Sequence, residues 1–170
     1  MVMVIHQLAD TVQNRVALQE LFIGTPAYYL ATTGKPAAPN EAENEFVELP
    51  PGFPRAEQFI FGFNLGDELI GCAGMLRGFR SANKVMLGLL LIAEKYQGHG
   101  HGKRAYAELE KIMASWPGID TVRIGVIETN EEAFGFWRKM GFVETGERKP
   151  KTSPYIADII VMEKNLGEKK

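Results

Sequence analysis

Apolar and polar positions along this 170-residue chain change period repeatedly, which predicts strands alternating with amphipathic helices. Short apolar runs bounded by turn residues predict strands at residues 1–5, 59–64, 68–77, 84–92, 121–128, 143–149 and 156–164. Apolar residues at helical spacing predict helices at residues 10–22, 27–32, 40–49 and 130–140, and another between the glycine-rich segment near residue 100 and Pro117. The nearly continuous apolar run 84–92 is typical of a strand covered on both faces.

The order of these elements predicts a mixed sheet. The glycine-containing turn at Leu65-Gly66-Asp67 predicts an antiparallel hairpin. The strand, helix and strand from residue 84 to residue 128 predict a parallel pair joined by a helical crossover. The pattern therefore predicts an α/β fold of the mixed α+β kind, with six to seven strands and about four to five helices.

Composition narrows the class of protein. A length of 170 residues, 45% hydrophobic and 24% charged, predicts a single domain spanning residues 1–170. A net charge of −2 argues against a broad nucleic-acid surface. We find no signal-peptide pattern and no apolar run of membrane-spanning length, so we expect a cytoplasmic protein that does not bind membranes. Cys72, the single cysteine, excludes an internal disulfide and is expected to be a buried small hydrophobe.

A glycine cluster follows the strand 84–92 and precedes a helical pattern, an arrangement that favours an anion site. Phosphate loops of nucleotide hydrolases need four residues between the first glycine and the Gly-Lys pair, but Gly98 and Gly102 enclose three. The dinucleotide fingerprint needs a glycine three residues after Gly100, where Lys103 stands. The segment fits instead the pattern Gln97-x-x-Gly100-x-Gly102.

A second segment, Asn130-Glu131-Glu132-Ala133-Phe134-Gly135-Phe136-Trp137-Arg138-Lys139-Met140-Gly141-Phe142, lies about 30 residues further on. The two motifs, in this order, resemble those of the GNAT N-acetyltransferases: a Gln-x-x-Gly-x-Gly signature for acetyl-coenzyme A, then Asn, Ala, two aromatics and Gly-Phe. The resemblance covers roughly residues 85–142, and the flanking strand order agrees with that family.

The resemblance implies a GNAT-like domain whose parallel strand pair splays apart, with acetyl-coenzyme A as co-substrate and an amine as acceptor. The amine would attack the acetyl thioester directly. The backbone of Leu91 and Ile92 would pair with the acetyl carbonyl and the pantetheine amides. Backbone N–H groups would hold the pyrophosphate at Gln97, Gly98, His99, Gly100, His101, Gly102 and Lys103.

Three further residues have both a cofactor interpretation and a structural one. By resemblance, Asn130 would bind the pantetheine arm, but it is equally suited to cap a helix. Phe136 and Trp137 are typical core residues, although at least one should line the cofactor cleft. The histidines at 99 and 101 are too few for a metal site without nearby cysteines or acids, so we expect no metal.

The proton donor and the base are left open by the residues. Many family members have a tyrosine, which protonates the coenzyme A thiolate, where Trp137 stands, and an indole is not a usable acid. Tyr155 is the predicted substitute, with Tyr28 and Tyr29 as alternatives, or the thiolate leaves unassisted. Glu94, Glu57 and Glu48 are candidate bases, or the amine loses its proton to water.

Residues 34–58 have an unusual composition, which predicts an insertion, and the family resemblance implies that this insertion lies on the acceptor side. Five of the nine prolines lie between Pro36 and Pro54, interleaved with glutamates at positions 41, 43, 45 and 48. This insertion is either a substrate lid or a solvated surface. We predict an N-acetyltransferase acting on a small molecule or on a peptide or protein. A non-catalytic acyl-coenzyme A binding module and a nucleotide-binding protein are the rival hypotheses, and a homodimer is possible.

Overall fold

The computed structural model describes residues 1–167, which form seven strands, five α-helices and two short 3-10 turns. The strands are β1 (Met3–Gln7), β2 (Gln58–Leu65), β3 (Glu68–Arg77), β4 (Lys84–Ile92), β5 (Thr121–Ile127), β6 (Val143–Lys149) and β7 (Ile159–Asn165). The α-helices are α1 (Val12–Ile23), α2 (Pro26–Thr33), α3 (Glu41–Val47), α4 (His101–Ser115) and α5 (Glu131–Lys139).

The seven strands form one mixed sheet in the order β1-β2-β3-β4-β5-β7-β6. All neighbouring strands are antiparallel except β4 and β5, which are parallel and joined through α4. The predicted fold class, the hairpin and the parallel crossover are thus confirmed. The last strand, β7, lies between β5 and β6: the chain leaves β5 through α5, forms β6 at the edge of the sheet, and returns as β7 in the place between them.

Several predicted boundaries move by a few residues. The first strand begins at Met3, since Met1 and Val2 are almost fully exposed. The predicted strand 156–164 begins only at Ile159, because the Ile156 N–H donates to the carbonyl of Thr32 at 3.0 Å. That bond holds the loop before β7 against the end of α2 instead of in the sheet.

Helices cover both faces of the sheet, and each face has its own core. The core under α4 and α5 includes Tyr106, Leu109, Met113 and Trp137. The core under α1, α2 and α3 includes Leu18, Phe22, Tyr29 and Phe46. Cys72 is fully buried in this second core, as predicted from the sequence.

A bulge in β4 turns the strand from one core to the other. Gly74 pairs with Leu89 and the next residue of β3 pairs with Leu87, so Gly88 has no partner across the ladder. The extra residue reverses the alternation of side chains. Leu87 therefore packs in the α4 and α5 core, whereas Leu91 packs in the other. The expected covering of β4 on both faces is confirmed, except at Gly88, which is exposed.

Beyond its first residues, β4 separates from β5. The two strands pair only from Lys84 to Met86, while β5 continues along β7 to Ile127. The second half of β4 therefore has an edge that no strand of the described residues covers. This confirms the splayed parallel pair that the sequence resemblance implies, and the gap between the strands forms the candidate site.

Candidate functional site

A cleft of about 90 Å³ opens where β4 and β5 separate. Its lining includes Gly88 and Leu90 from β4 and Gly125 from β5. The two glycines are exposed and have no side chain, which leaves the backbone of both strands accessible. Such a cleft can accept a narrow chain that hydrogen-bonds to backbone groups.

The register of β4 decides which backbone groups point into this cleft. The Ala93 N–H donates to the carbonyl of Ile70 in β3 at 2.8 Å. Because N–H groups alternate between the two edges of an antiparallel strand, Leu91 also points toward β3, whereas Leu90 and Ile92 point toward the splayed edge. The predicted backbone groups of Ile92 thus lie at the splayed edge together with those of Leu90, whereas the backbone of Leu91, which was also predicted, lies in the ladder with β3.

The glycine-rich loop bends sharply before α4. Gly98 and Gly100 both have φ of +80°, a conformation that glycine adopts without strain. Helix α4 begins at His101, and no side chain caps it. The N–H groups of His101, Gly102 and Lys103 are the first of the helix and have no helical acceptor, and N–H groups at the positive end of a helix are suited to binding an anion.

Two side chains hold this loop in shape. The Gln97 side-chain amide donates to the carbonyl of Ile92 at 2.8 Å, which ties the loop back to the end of β4. The Arg104 guanidinium donates to the carbonyl of His99 at 2.9 Å and lies 3.0 Å from Nδ1 of His101. The predicted Gln97–Lys103 segment is therefore held against the end of β4, with Gln97 as a structural tie.

The residues predicted on α5 have separate positions. Asn130 precedes the helix, its side chain makes no capping bond, and it lines the cleft. Trp137 also lines the cleft and packs edge-on against Tyr106, with ring centroids 5.7 Å apart. Phe136 instead packs beneath the start of α4, where a Cβ at Gly102 would lie 3.4 Å from its ring. Of these two aromatic residues, the one in the lining of the cleft is therefore Trp137.

On the other side of β4, helix α3 carries a carboxylate that sequence reasoning did not single out as a base. The carboxylate of Glu45 lies directly against Gly74 of β3, and no hydrogen bond or ion pair joins it to another described residue. Burial raises the pKa of Glu45 to about 7, and the charges of Glu41 and Glu48 add to the shift. Glu45 follows the buried Ala42 by three residues on α3, and this spacing was the available sequence signal.

Three tyrosines surround this carboxylate. Tyr28 and Tyr29 of α2 stand edge-on at 5.1 Å, and burial raises the pKa of both phenols. Tyr155 is 38% exposed, and burial followed by the charge of Glu45 raises the pKa of its phenol. Tyr28 also lines the cleft. Tyr155, the predicted proton donor, is not among the cleft-lining residues but lies near Glu41, Glu45 and Glu48, the three carboxylates that we call the acidic pocket.

The three glutamates that the sequence suggested as bases, at positions 57, 94 and 48, are either bonded to other groups or exposed. Glu57 forms two bonds to Arg77, at 2.6 and 3.2 Å, and this guanidinium lowers the pKa of Glu57. Glu94 accepts a bond of 2.7 Å from the Ala27 N–H at the start of α2. Glu48 is exposed after the end of α3. Of the carboxylates in this region, Glu45 therefore has the environment of a base near neutral pH.

A larger concavity of about 580 Å³ lies at the opposite end of β4, between the loop after α3 and the segment that follows α4. Its charged lining residues, Glu57 and Arg77, are paired with each other.

In residues 1–167 no group of three or more His, Cys, Asp or Glu side chains is placed to hold a metal ion. No helix in the same range combines the length and apolar character that crossing a membrane requires.

Comparisons with known proteins agree with this geometry. Residues 25–142 match the model of the acetyltransferase (GNAT) family. No curated protein matches the chain in sequence.

Solved structures share the fold. An acetyltransferase from Thermus thermophilus is 22% identical with a TM-score of 0.70, covering 95% of this chain and 96% of that chain. PaiA N-acetyltransferase from Thermoplasma acidophilum, in complex with coenzyme A, is 23% identical with a TM-score of 0.66, covering 97% and 99%. Spermidine N-acetyltransferase from Vibrio cholerae, in complex with coenzyme A and spermine, is 13% identical with a TM-score of 0.72, covering 96% and 95%.

Proposed function

Because the chain belongs to the GNAT acetyltransferase family, we propose that it transfers acetyl from acetyl-coenzyme A to a primary amine of a small molecule, peptide or protein. The observation that carries the proposal is the splayed pair β4 and β5, which opens directly beside the uncapped start of α4. Acetyl-coenzyme A is the co-substrate, and two similar structures hold coenzyme A.

Each end of the cleft suits one part of this co-substrate. The N–H groups of His101, Gly102 and Lys103 provide donors and partial positive charge for a pyrophosphate. The free edge of β4 at Leu90 and Ile92 provides backbone groups for the amides of a pantetheine arm. The side-chain amide of Asn130 faces the same cleft and can bind the arm as well.

The reaction requires stabilisation of the negative charge that develops on the acetyl oxygen. An N–H group held at the splayed edge of β4, beside Gly88, is a fixed donor for that oxygen. Donors of this kind contribute most when water is excluded, and the cleft is bordered by Leu89, Val126 and Trp137. Binding of the amine at the α3 side of β4 would bring it to the acetyl carbon by direct attack, without a covalent enzyme intermediate.

The leaving thiolate needs little help from the protein. An ordinary thiol has a pKa of about 8.5, so the thiolate is a moderate leaving group near neutral pH. The indole N–H of Trp137 can donate a hydrogen bond, but it cannot release a proton near neutral pH. Tyr155, predicted from the sequence as the acid, lies near the acidic pocket.

The proposal is tested by mixing the protein with acetyl-coenzyme A and a panel of amines, and measuring both free thiol and the mass of each product. We expect thiol release that depends on the amine and a mass gain of one acetyl group at nitrogen. Binding of acetyl-coenzyme A, seen as a raised melting temperature, without transfer to any amine would favour the binding-module alternative. Protection by ATP or NAD but not by acetyl-coenzyme A would overturn both.

A further inference from the structure

We propose that Glu45 binds the ammonium group of a cationic acceptor and takes the proton that this group must lose before it attacks the acetyl carbon. This proposal rests on the proposed acetyl transfer and assigns a residue and a substrate class to it. It depends on the position of the carboxylate, on the absence of a counter-charge around it, and on the contacts that fix it in place.

The position of Glu45 connects the acidic pocket with the cleft. Its carboxylate lies against Gly74, and Gly74 pairs across the sheet with Leu89. Leu89 lines the cleft and is adjacent to the bulged Gly88. Tyr28 also faces both sides, since it lines the cleft and its pKa is raised partly by the charge of Glu45. An amine bound at this carboxylate therefore stands one strand away from the splayed edge of β4.

Within residues 1–167, the groups that face Glu45 supply no positive charge. They are Glu41 and Glu48 around α3, Tyr28 and Tyr29 of α2, Cys72 of β3, and Tyr155 of the loop before β7. Arg55, the cation bound to α3, donates to the backbone carbonyls of Phe46 at 2.7 Å and Val47 at 3.0 Å. A half-buried carboxylate without a partner is unfavourable, and an ammonium group would provide the missing charge.

Hydrogen bonds to two neighbouring elements fix the helix that carries this carboxylate. Gln19 of α1 donates to the Ala38 carbonyl at 2.8 Å and accepts from the Ala42 N–H at 3.0 Å. Gln58 donates to the backbone carbonyl of Glu45 at 2.9 Å. Helix α3 is therefore tied to α1 and to β2, so the backbone from which the Glu45 side chain extends is fixed before the acceptor binds, as a binding group requires.

The proton and electron balance of the step is simple. The Glu45 carboxylate accepts one proton from the ammonium, and the neutral amine nitrogen uses its lone pair to form the bond to the acetyl carbon. The carbon–sulfur bond breaks, and the thiolate leaves with the electron pair. The second proton of the nitrogen is lost to the thiolate or to water, and the proton on Glu45 returns to solvent.

The test compares Glu45→Gln with Glu43→Gln in the full chain, using spermidine as a polycationic probe and benzylamine as an apolar monoamine. Glu43 makes the same charge change on the same helix, but it is exposed and lies 3.4 Å from Arg15. We expect kcat/KM for spermidine at pH 7 to fall about 100-fold or more in Glu45→Gln and less than about twofold in Glu43→Gln. The melting-temperature shift given by acetyl-coenzyme A should remain in both variants.

The pH profile separates a base from a purely structural residue. In the wild type, kcat/KM should rise with pH and level off above about pH 7, where Glu45 is ionised. In Glu45→Gln it should keep rising about tenfold per pH unit toward the pKa of a free amine, about 10.4, because only the neutral amine can then be captured. Glu45→Asp keeps a carboxylate and should retain the plateau at a lower kcat.

Each outcome has one meaning. If the wild type acetylates no amine, the proposed function fails and the assignment of Glu45 fails with it. If the wild type is active but Glu45→Gln matches Glu43→Gln in rate and pH profile, only the assignment fails. A loss of rate with an unchanged plateau near pH 7 would also overturn it. Should Glu45→Gln fold poorly, the Glu45→Asp profile decides, since a plateau lost there would contradict the proposal.

Discussion

At the scale of single residues, Glu45 combines an unfavourable environment with a position at the candidate site. Its pKa is raised from an ordinary value of 4.5 to about 7, because burial and neighbouring glutamates disfavour the charged form. Between these two pH values the folded state binds more protons than the unfolded state. The free energy of unfolding therefore falls as pH rises from about 4.5 to 7 and stays lower above that range.

This linkage predicts that Glu45→Gln stabilises the protein at alkaline pH. The variant removes the penalty of the buried anion, so at pH 8 its free energy of unfolding should exceed that of the wild type by about 1–3 kcal/mol. The gain should shrink toward zero near pH 4.5, where the wild-type carboxyl is protonated. Urea unfolding at both pH values measures the difference, and equal differences at pH 8 and pH 4.5 would contradict the raised pKa.

Tyr155 provides a second test at this scale. It lies beside Glu45 and outside the lining of the cleft, so Tyr155→Phe should raise the KM for the acceptor a few-fold and leave kcat within about threefold. The measurement is steady-state kinetics with each substrate varied in turn. The reverse pattern, a large loss of kcat at unchanged KM, would restore Tyr155 as the acid that protonates the thiolate.

At the scale of elements, the turn into α4 is the part of the cofactor site that the sequence specifies best. Gly100 has φ of +80° and a Cβ there would lie 3.1 Å from the Arg104 guanidinium. We predict that Gly100→Val abolishes the melting-temperature shift given by acetyl-coenzyme A. A side chain there obstructs the N–H groups at the helix start and disfavours the positive φ.

A matched control lies at the other end of the same helix. Gly118 has φ of +79°, and nothing lies within 4 Å of its Cβ position. Gly118→Val should therefore cost a similar backbone strain, about 1–2 kcal/mol, while leaving binding of acetyl-coenzyme A intact. If both variants lose binding equally, general destabilisation is the cause and the loop is not the phosphate site.

The acidic segment is an element whose function the sequence left open between a lid and a solvated surface. The glutamates of this segment differ in their surroundings. Glu45 faces the sheet, whereas Glu43 and Glu48 are exposed. We predict that the double variant Glu45→Gln and Glu48→Gln weakens acceptor binding and leaves the affinity for acetyl-coenzyme A within about twofold. An unchanged acceptor KM would identify residues 34–58 as a solvated surface.

The limits of sequence reasoning follow from where each interaction originates. The glycine turn and the parallel crossover are local patterns, so hydrophobic period and spacing were sufficient to predict them. Whether the backbone N–H of Leu91 points toward β3 or toward the splayed edge depends on the register of β4 with β3 and on the bulge opposite Gly74. No local sequence pattern encodes that register. The raised pKa of Glu45 likewise depends on the packing of α3 against the sheet, 29 positions along the chain from Gly74.

At the scale of the whole molecule, one network of ion pairs joins four strands of the sheet next to the point where β4 and β5 separate. Glu163 of β7 accepts bonds from Lys84 of β4 at 2.8 Å and from Arg123 of β5 at 3.2 Å. The side chain of Arg123 is only 9% exposed and also pairs with Glu147 of β6 at 2.6 Å. Four strands thus meet at this network, which lies where the cleft between β4 and β5 begins.

Removing the central anion should weaken both the fold and the site. Glu163→Gln leaves Lys84 without its carboxylate and Arg123 with one partner fewer, and we predict a loss of about 2–4 kcal/mol in the free energy of unfolding. Glu108→Gln, which removes an exposed pair with Lys111, should cost less than about 1 kcal/mol. Because β4 and β5 pair only from Lys84 to Met86, the first variant should also weaken binding of acetyl-coenzyme A several-fold, measured by calorimetry well below its melting temperature. A destabilised Glu163→Gln protein with unchanged affinity would show that the cleft keeps its shape without this network.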